Sequence, residues 1–322
     1  MHAFDRRLRA QRPAKIPPES GRPIAAQVEL ERTPEGDLER ALTIFLAGRE
    51  CPFTCIFCDL WRHTTDAPTP PGAIPEQIRI ALEEHAPKGA PPVESVKLYN
   101  ASNFFDAGSV PPADDAKILD LVGGLRRVIV ECHAKLVGRR AARYAERLGG
   151  AGSRLEVAVG FETVHPQALA QLNKRVTVND LRAASRRLRE MDADLRAFVL
   201  IGVPFIDLGD EEAWVLRSVQ EALDCGARVV SLIPMRSGES ELVRLEREGL
   251  WTPPDLDRVE AAYTRARELA PDRVFLDTWD LDKLRRAPGD GRRVERLRGQ
   301  QLGALKQGGA AETAGRAGGA AA

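Results

Sequence analysis

Short β-rich runs alternate with amphipathic helical stretches along most of the chain, and this alternation restricts the fold more than any other feature. The strand-like runs fall at residues 41–47, 95–99, 127–131, 155–160, 195–201 and 228–233, and the helical patterns at 75–85, 114–125, 139–148, 178–191, 210–224 and 256–269. Strands joined through helices pair in parallel, because the crossover returns the chain to the same end of the sheet. Such crossovers are right-handed, so successive units curl the sheet and leave the helices outside. The sequence predicts an α/β fold, a partial (βα)6 TIM-like barrel over residues 41–271. Its chemistry belongs in the loops that follow the C-terminal strand ends. A length of 322 residues accommodates that barrel with extensions, or two average domains.

The flanks differ in character. Residues 1–24 carry Arg6, Arg7, Arg9, Arg12, Lys15 and Arg22 against Asp5 and Glu19, with prolines interspersed and no apolar period. This predicts a basic, largely irregular, solvated arm. Residues 25–40 read as a hairpin extension, with weak alternation before the turn residues Thr33-Pro34-Glu35-Gly36-Asp37. Residues 272–300 form a C-terminal extension with one further strand pattern at 273–277 and a run of arginines, and residues 301–322, rich in Gly and Ala, are expected to be disordered. Lys plus Arg and Asp plus Glu both number 47, so no bulk field draws the chain to a polyanion. No apolar run approaches the ~20 residues of a membrane helix, and the first 30 residues lack a signal-peptide core. A cytoplasmic chain without a membrane partner is expected.

Cys51, Cys55 and Cys58 then supply three thiols within eight residues, in the loop after the first barrel strand. Five cysteines, three of them clustered, suit a reducing compartment and a metal site better than a paired disulfide framework. Three thiolates hold three corners of a [4Fe-4S] cube and leave one iron open to a small molecule. The alternative is a tetrahedral zinc site completed by His63, five positions after Cys58. Cys132 and His133 end the third barrel strand; Cys132 is a candidate for substrate contact or hydrogen-atom donation, or is a buried thiol with no such role. No role is assigned to Cys225.

The stretch Cys51-x3-Cys55-x-Phe57-Cys58 resembles the signature of the radical S-adenosylmethionine (radical SAM) superfamily, including the aromatic residue before the last cysteine. The resemblance implies a [4Fe-4S] cluster and SAM as cofactors, and a reducing electron donor such as flavodoxin or ferredoxin. It implies reductive cleavage of SAM to a 5′-deoxyadenosyl radical that takes hydrogen from a substrate. Phe57 belongs to the SAM-binding set in this resemblance. Tyr99-Asn100-Ala101-Ser102-Asn103 stands where the family has Gly-Gly-Glu, so Asn100 and Ser102 are candidates for the SAM amino group, or are turn formers. Glu162 resembles the group that holds the ribose hydroxyls, its alternative being a carboxylate at a helix start. Gly202 resembles the glycine beside adenine. Arg196 is a candidate for the SAM carboxylate or for an ion pair, and Met235 for the adenine pocket or ordinary core. The stretch 169–180, with Thr177 as a helix cap, resembles radical enzymes related to the Elongator catalytic subunit. The nearest subgroup resembles the radical SAM subunit of archaeosine synthase and uncharacterised bacterial relatives. This implies modified-nucleoside or tRNA chemistry, with tRNA or a partner enzyme held through the basic termini. Small-molecule or natural-product tailoring is the alternative within the superfamily, and a non-catalytic Fe–S or zinc-binding interaction protein the alternative outside it.

Overall fold

The computed structural model describes residues 3–303 apart from 20, 87, 88, 90 and 239. Strands β1 (Ala25–Arg32) and β2 (Leu38–Leu46) form the expected antiparallel hairpin, in register from Ala25 opposite Phe45 to Arg32 opposite Leu38. Thr33 donates its N–H to the Asp37 carbonyl at 2.8 Å, and Gly36 turns the chain at φ +99°. That conformation explains the glycine.

From β2 the sheet grows by one strand at a time. It continues through β3 (Ser95–Asn100), β4 (Arg127–Glu131), β5 (Arg154–Glu162), β6 (Asp194–Ile201), β7 (Val229–Pro234) and β8 (Val274–Leu276), each parallel to the one before. The connecting helices include α2 (Ala73–Glu84), α3 (Asp115–Val122), α4 (Arg139–Gly150), α5 (Pro166–Gln171), α6 (Val178–Glu190), α7 (Glu211–Asp224), α8 (Leu242–Arg247) and α9 (Leu256–Leu269). Thr177 caps α6 in a capping box with Asp180, as its position implied.

Alternation along the strands separates two surfaces. Leu42, Ile44, Val96, Leu98, Val128, Val130, Val157 and Val199 face the helices and build the main core. Glu29, Glu31, Lys97, Tyr99, Arg127, Ile129, Glu131, Arg196 and Phe198 face a central lumen. Charged residues inside a barrel need partners. Glu156, fully buried, supplies one to Arg196 Nε at 2.5 Å, to Arg127 Nη1 at 3.3 Å and to Arg228 Nη1 at 3.4 Å. Asp194 takes Arg127 at 2.6 Å and Arg154 at 2.9 Å. These residues lie near the N-terminal strand ends, so ion pairs close that end and the lumen opens at the other.

Strands β1 and β8 end the sheet, and side chains bridge the seam between them. Trp279 Nε1 donates to Glu29 Oε1 at 2.7 Å, Arg32 pairs with Asp272 at 3.2 Å, and the Trp279 ring lies 5.3 Å from that of Phe45. The Gln301 side chain, at the end of α10 (Asp290–Gln301), accepts from Leu276 N at 2.9 Å and donates to the Tyr263 hydroxyl at 2.6 Å.

Three expectations change. The barrel has seven parallel strands where the spacing suggested six, since β8 realises the pattern at 273–277. The hairpin strand β1 belongs to the barrel's own sheet. Residues 3–10 form a helix, α1 (Ala3–Ala10), in place of an irregular arm, with Asp5 and Leu8 buried. The Gly/Ala-rich tail lies outside the described residues from residue 304 onward. No described helix is long and apolar enough to cross a membrane.

Candidate functional site at the cysteine loop

The chain leaving β2 forms a loop that several distant segments stitch in place. Glu50 N donates to Thr65 O at 2.9 Å, Cys58 N to Cys55 O at 3.2 Å, Ile56 N to Leu172 O at 3.1 Å, and Glu241 N to Ile56 O at 3.0 Å. Ile56 is the apolar anchor, packed in a second core with Leu8, Leu172, Leu242, Leu245 and Trp251. Helix α1 closes over this loop. Asp5 accepts from Thr54 Oγ1 at 2.7 Å and Asn173 Nδ2 at 3.2 Å, and pairs with Arg175. Burial alone would raise the Asp5 carboxyl, but the hydrogen bonds from Thr54, Arg175 and Asn173 outweigh it and hold the group well below the usual carboxylate range. Glu50, beside Cys51, takes Arg12 at 2.9 Å, Lys15 at 2.7 Å and Arg9. The Arg12 guanidinium also lies 4.6 Å from the Trp61 ring. The basic residues of the arm are therefore spent locally.

All three thiols are free and partly buried. Cys58 borders the lumen, while Cys55 and Cys58 together border a smaller pocket of about 280 Å³ on the far side of the loop. Asn103 Nδ2 donates to Cys51 Sγ at 3.4 Å. Burial pushes all three thiols up, Cys58 to about 12, and each of Cys55 and Cys58 is raised further by neighbouring cysteines. Thiolates here need a cation to hold them.

Among the described residues, no group of three His, Cys, Asp or Glu side chains could hold a metal ion. A mononuclear Cys3His site needs its ligands converging on one point, and His63 is exposed. A cube instead takes each thiolate on a separate iron. Three thiols from one loop, Cys58 at the lumen and Cys55 and Cys58 at the smaller pocket, suit a cube that takes each thiolate on its own iron better than a single ion.

Beneath the loop lies a charge group that sequence reasoning missed. Lys174 pairs with Glu162, and its ammonium also interacts with Cys55 and Glu131. Its pKa is nonetheless raised: burial works against the charge, and Glu162, Cys55 and Glu131 reverse that. A bulge between Gly160 and Glu162 aims this carboxylate, with Glu162 at φ +58°. A side chain at Gly160 would collide with both Glu162 and Lys174, which accounts for that glycine. The His133 ring stacks on Phe53 at 3.9 Å, bonds the Lys174 carbonyl through Nε2 at 2.9 Å and accepts from Lys135 N at 3.2 Å. Burial lowers its pKa to about 4, so it is a neutral strut.

Glu131 ends β4 on the lumen wall, where burial raises its carboxyl from 4.5 to about 7 against the pull of Lys174. The folded state thus binds a proton that the unfolded chain releases, and this group costs stability as pH rises from 4.5 toward 7 and above. Glu131→Gln is expected to stabilise the protein at pH 8 by about 3 kcal/mol, at ~1.4 kcal/mol per unit, and to change little at pH 4. Urea unfolding of both proteins at the two pH values checks this.

The other candidates separate clearly. Phe57, Glu162 and Met235 border the lumen with Cys58. Met235 also packs in the second core. Asn100 Oδ1 accepts from Ser102 N at 3.3 Å, a turn contact, while Ser102 Oγ is buried with no hydrogen-bond partner among the described residues. Arg196 lies among the floor ion pairs with Glu156 and Glu31, so the partner its charge requires is within the protein. Gly202, at φ +86°, is dictated by Pro254, whose Cδ lies 2.5 Å from where a Cβ would sit; its carbonyl accepts from Trp251 Nε1 at 2.6 Å. Cys132 turns outward, one position past the lumen-facing Glu131, and is buried in the helix-side core with its Sγ 3.3 Å from the His133 carbonyl. That placement removes it as a candidate for substrate contact.

No protein-family model and no curated protein matches the chain. Solved structures match in fold. Elp3 of the archaeon Methanocaldococcus infernus, with its N-terminus deleted, superposes with a TM-score of 0.52 at 15% identity, over 68% of this chain and 57% of that one. A radical SAM methyltransferase from Sphaerobacter thermophilus gives 0.53 at 16% identity, over 80% of this chain and 74% of that one. The chain spans little more than half of the Elp3 length, and at these identities the likeness is one of architecture. The chain shares its fold with these two proteins, of which the second is a radical SAM methyltransferase.

Proposed function

We propose that this chain is a radical SAM enzyme, with Cys51, Cys55 and Cys58 holding a [4Fe-4S] cluster at the open end of the lumen. The observation that supports the reading is a single loop that carries three thiols, with Cys58 at the edge of a cavity of about 930 Å³ and Cys55 and Cys58 on a smaller pocket, within the matching fold. A bound cluster would supply the electron that cleaves the sulfonium of SAM. The residues of the chain then position and shield. Lys174 and Glu162, paired with each other beside the loop, would exchange that contact for the carboxylate and hydroxyls of SAM. Phe57 borders the same space. Helix α1, through Leu8 and Asp5, packs against the far side of the loop and walls the smaller pocket beside Cys55 and Cys58.

A substrate small enough for the lumen fits better than a folded RNA. The basic termini that would hold RNA are engaged: Arg9, Arg12 and Lys15 with Glu50, Arg293 and Arg296 with Glu260, and Arg298 with Asp282. Small-molecule tailoring is therefore the substrate reading we favour. Anaerobically reconstituted protein given dithionite and SAM is expected to release 5′-deoxyadenosine, measured by liquid chromatography. A sample that holds one zinc per chain, shows no visible sulfide-to-iron absorption and yields no 5′-deoxyadenosine would overturn the proposal in favour of a binding module.

A further inference from the structure

The lumen wall contains an aromatic surface that the cluster and SAM reading does not use. Phe45, Tyr99 and Phe198 project inward from β2, β3 and β6. The Tyr99 ring centroid lies 6.4 Å from that of Phe45 and 6.3 Å from that of Phe198, edge-on to both, and Trp279 extends the row beyond Phe45 at 5.3 Å. Rings in such a row leave faces and edges open to a further flat ring.

The polar groups around this row are mostly occupied. Lys97 pairs with Glu29 and Glu31, Arg196 with Glu156, and Glu162 with Lys174. Glu131 is different. Its carboxyl borders the same cavity and has no hydrogen-bond or ion-pair partner among the described residues. The Tyr99 hydroxyl likewise has no hydrogen-bond partner among them. Lys174 acts on the half-buried Glu131 carboxyl without a hydrogen bond to it, so its oxygens are left to accept from a ligand in the cavity. Few polar groups convergent on an apolar wall are what fixes a small ligand's orientation.

We propose that the lumen binds a small substrate carrying a flat nitrogen heterocycle with an amino or ring N–H group, the ring against Tyr99 and Phe198 and the N–H donated to Glu131. This rests on the enzyme reading above only in calling the ligand a substrate. The ring wall selects against acyclic amines of the same charge.

The test uses the reconstituted full-length protein with saturating SAM, no reductant, and 2-aminopurine as a fluorescent probe. Saturable quenching in the wild type is expected. Glu131→Gln should weaken it about tenfold and Phe198→Leu several-fold, with thermal melts confirming that both variants are folded. Tyr99→Phe, which keeps the ring and removes the hydroxyl, should weaken it less than Phe198→Leu. Cyclohexylamine should not compete. Absence of saturable quenching, equal affinity in Glu131→Gln, competition by cyclohexylamine, or quenching that appears only when SAM is left out would overturn the proposal, the last because it places the ring in the nucleotide's own position. Release of 5′-deoxyadenosine by the same preparation separates the two readings. Its presence without probe binding removes only the ring-substrate assignment, and probe binding without it supports the ring site while removing the radical chemistry.

Discussion

Replacing Cys55 with alanine is expected to abolish the visible iron-sulfur absorption and to lower 5′-deoxyadenosine release by at least two orders of magnitude, while the far-ultraviolet dichroism stays that of the wild type. The expectation follows from where the side chain sits. Cys55 lies in a loop whose shape is held by backbone bonds and by Ile56, and its thiol has no hydrogen bond that the fold relies on. Removing one of three thiolates leaves two corners of a cube unligated, which a cluster of this type does not survive. The strands and helices do not depend on the metal, because the barrel has its own extensive apolar core. A variant that keeps its iron and sulfide would refute the ligand assignment, and one that unfolds would show that metal binding and folding are coupled here.

The second large effect lies at the opposite end of the lumen. Glu156→Ala removes the carboxylate shared by Arg127, Arg196 and Arg228, and leaves guanidinium groups beside a space that water reaches poorly. Breaking a buried pair from one side costs about 3–5 kcal/mol, because the remaining charge keeps its desolvation penalty. In a chain of this size that corresponds to a fall in Tm of roughly 5–8 °C. Arg127 retains Asp194 and Arg196 retains Glu31 at 3.6 Å, so the loss stays below complete unfolding. Differential scanning calorimetry measures it, and an unchanged Tm would mean that the floor network contributes nothing net. Glu156→Gln should fall between the two proteins.

Much of this architecture was legible in one sequence. Runs such as 127–131 and 195–201 declare strands, the helices between them set their parallel sense, and the cysteine spacing marks the loop. What could not be read were partners brought together from far apart. Asp5 meets Arg175, Arg9 meets Glu50, and Gly202 meets Pro254; none of these pairs has a local pattern to announce it. The arm therefore looked solvated, although its arginines had carboxylates waiting. Other signals were present and unused. Lys97, Arg127, Glu131, Glu156 and Arg196 are charged residues within strands, and their inward parity predicted a lumen of ion pairs. The same parity puts Cys132 on the opposite face from Glu131, so strand geometry alone assigns the lumen to the carboxylate and the helix layer to the thiol.

The seal that α1 forms over the cysteines also has a place in time. Asp5 is made early, yet Arg175, its ion-pair partner, is 170 residues away along the chain. At about 5–20 residues per second of synthesis, roughly ten to thirty seconds separate the two on the ribosome. Until Arg175 emerges, the helix has its contacts with Thr54 and Glu50 to hold it near the cysteine loop, so its docking there is completed late in synthesis.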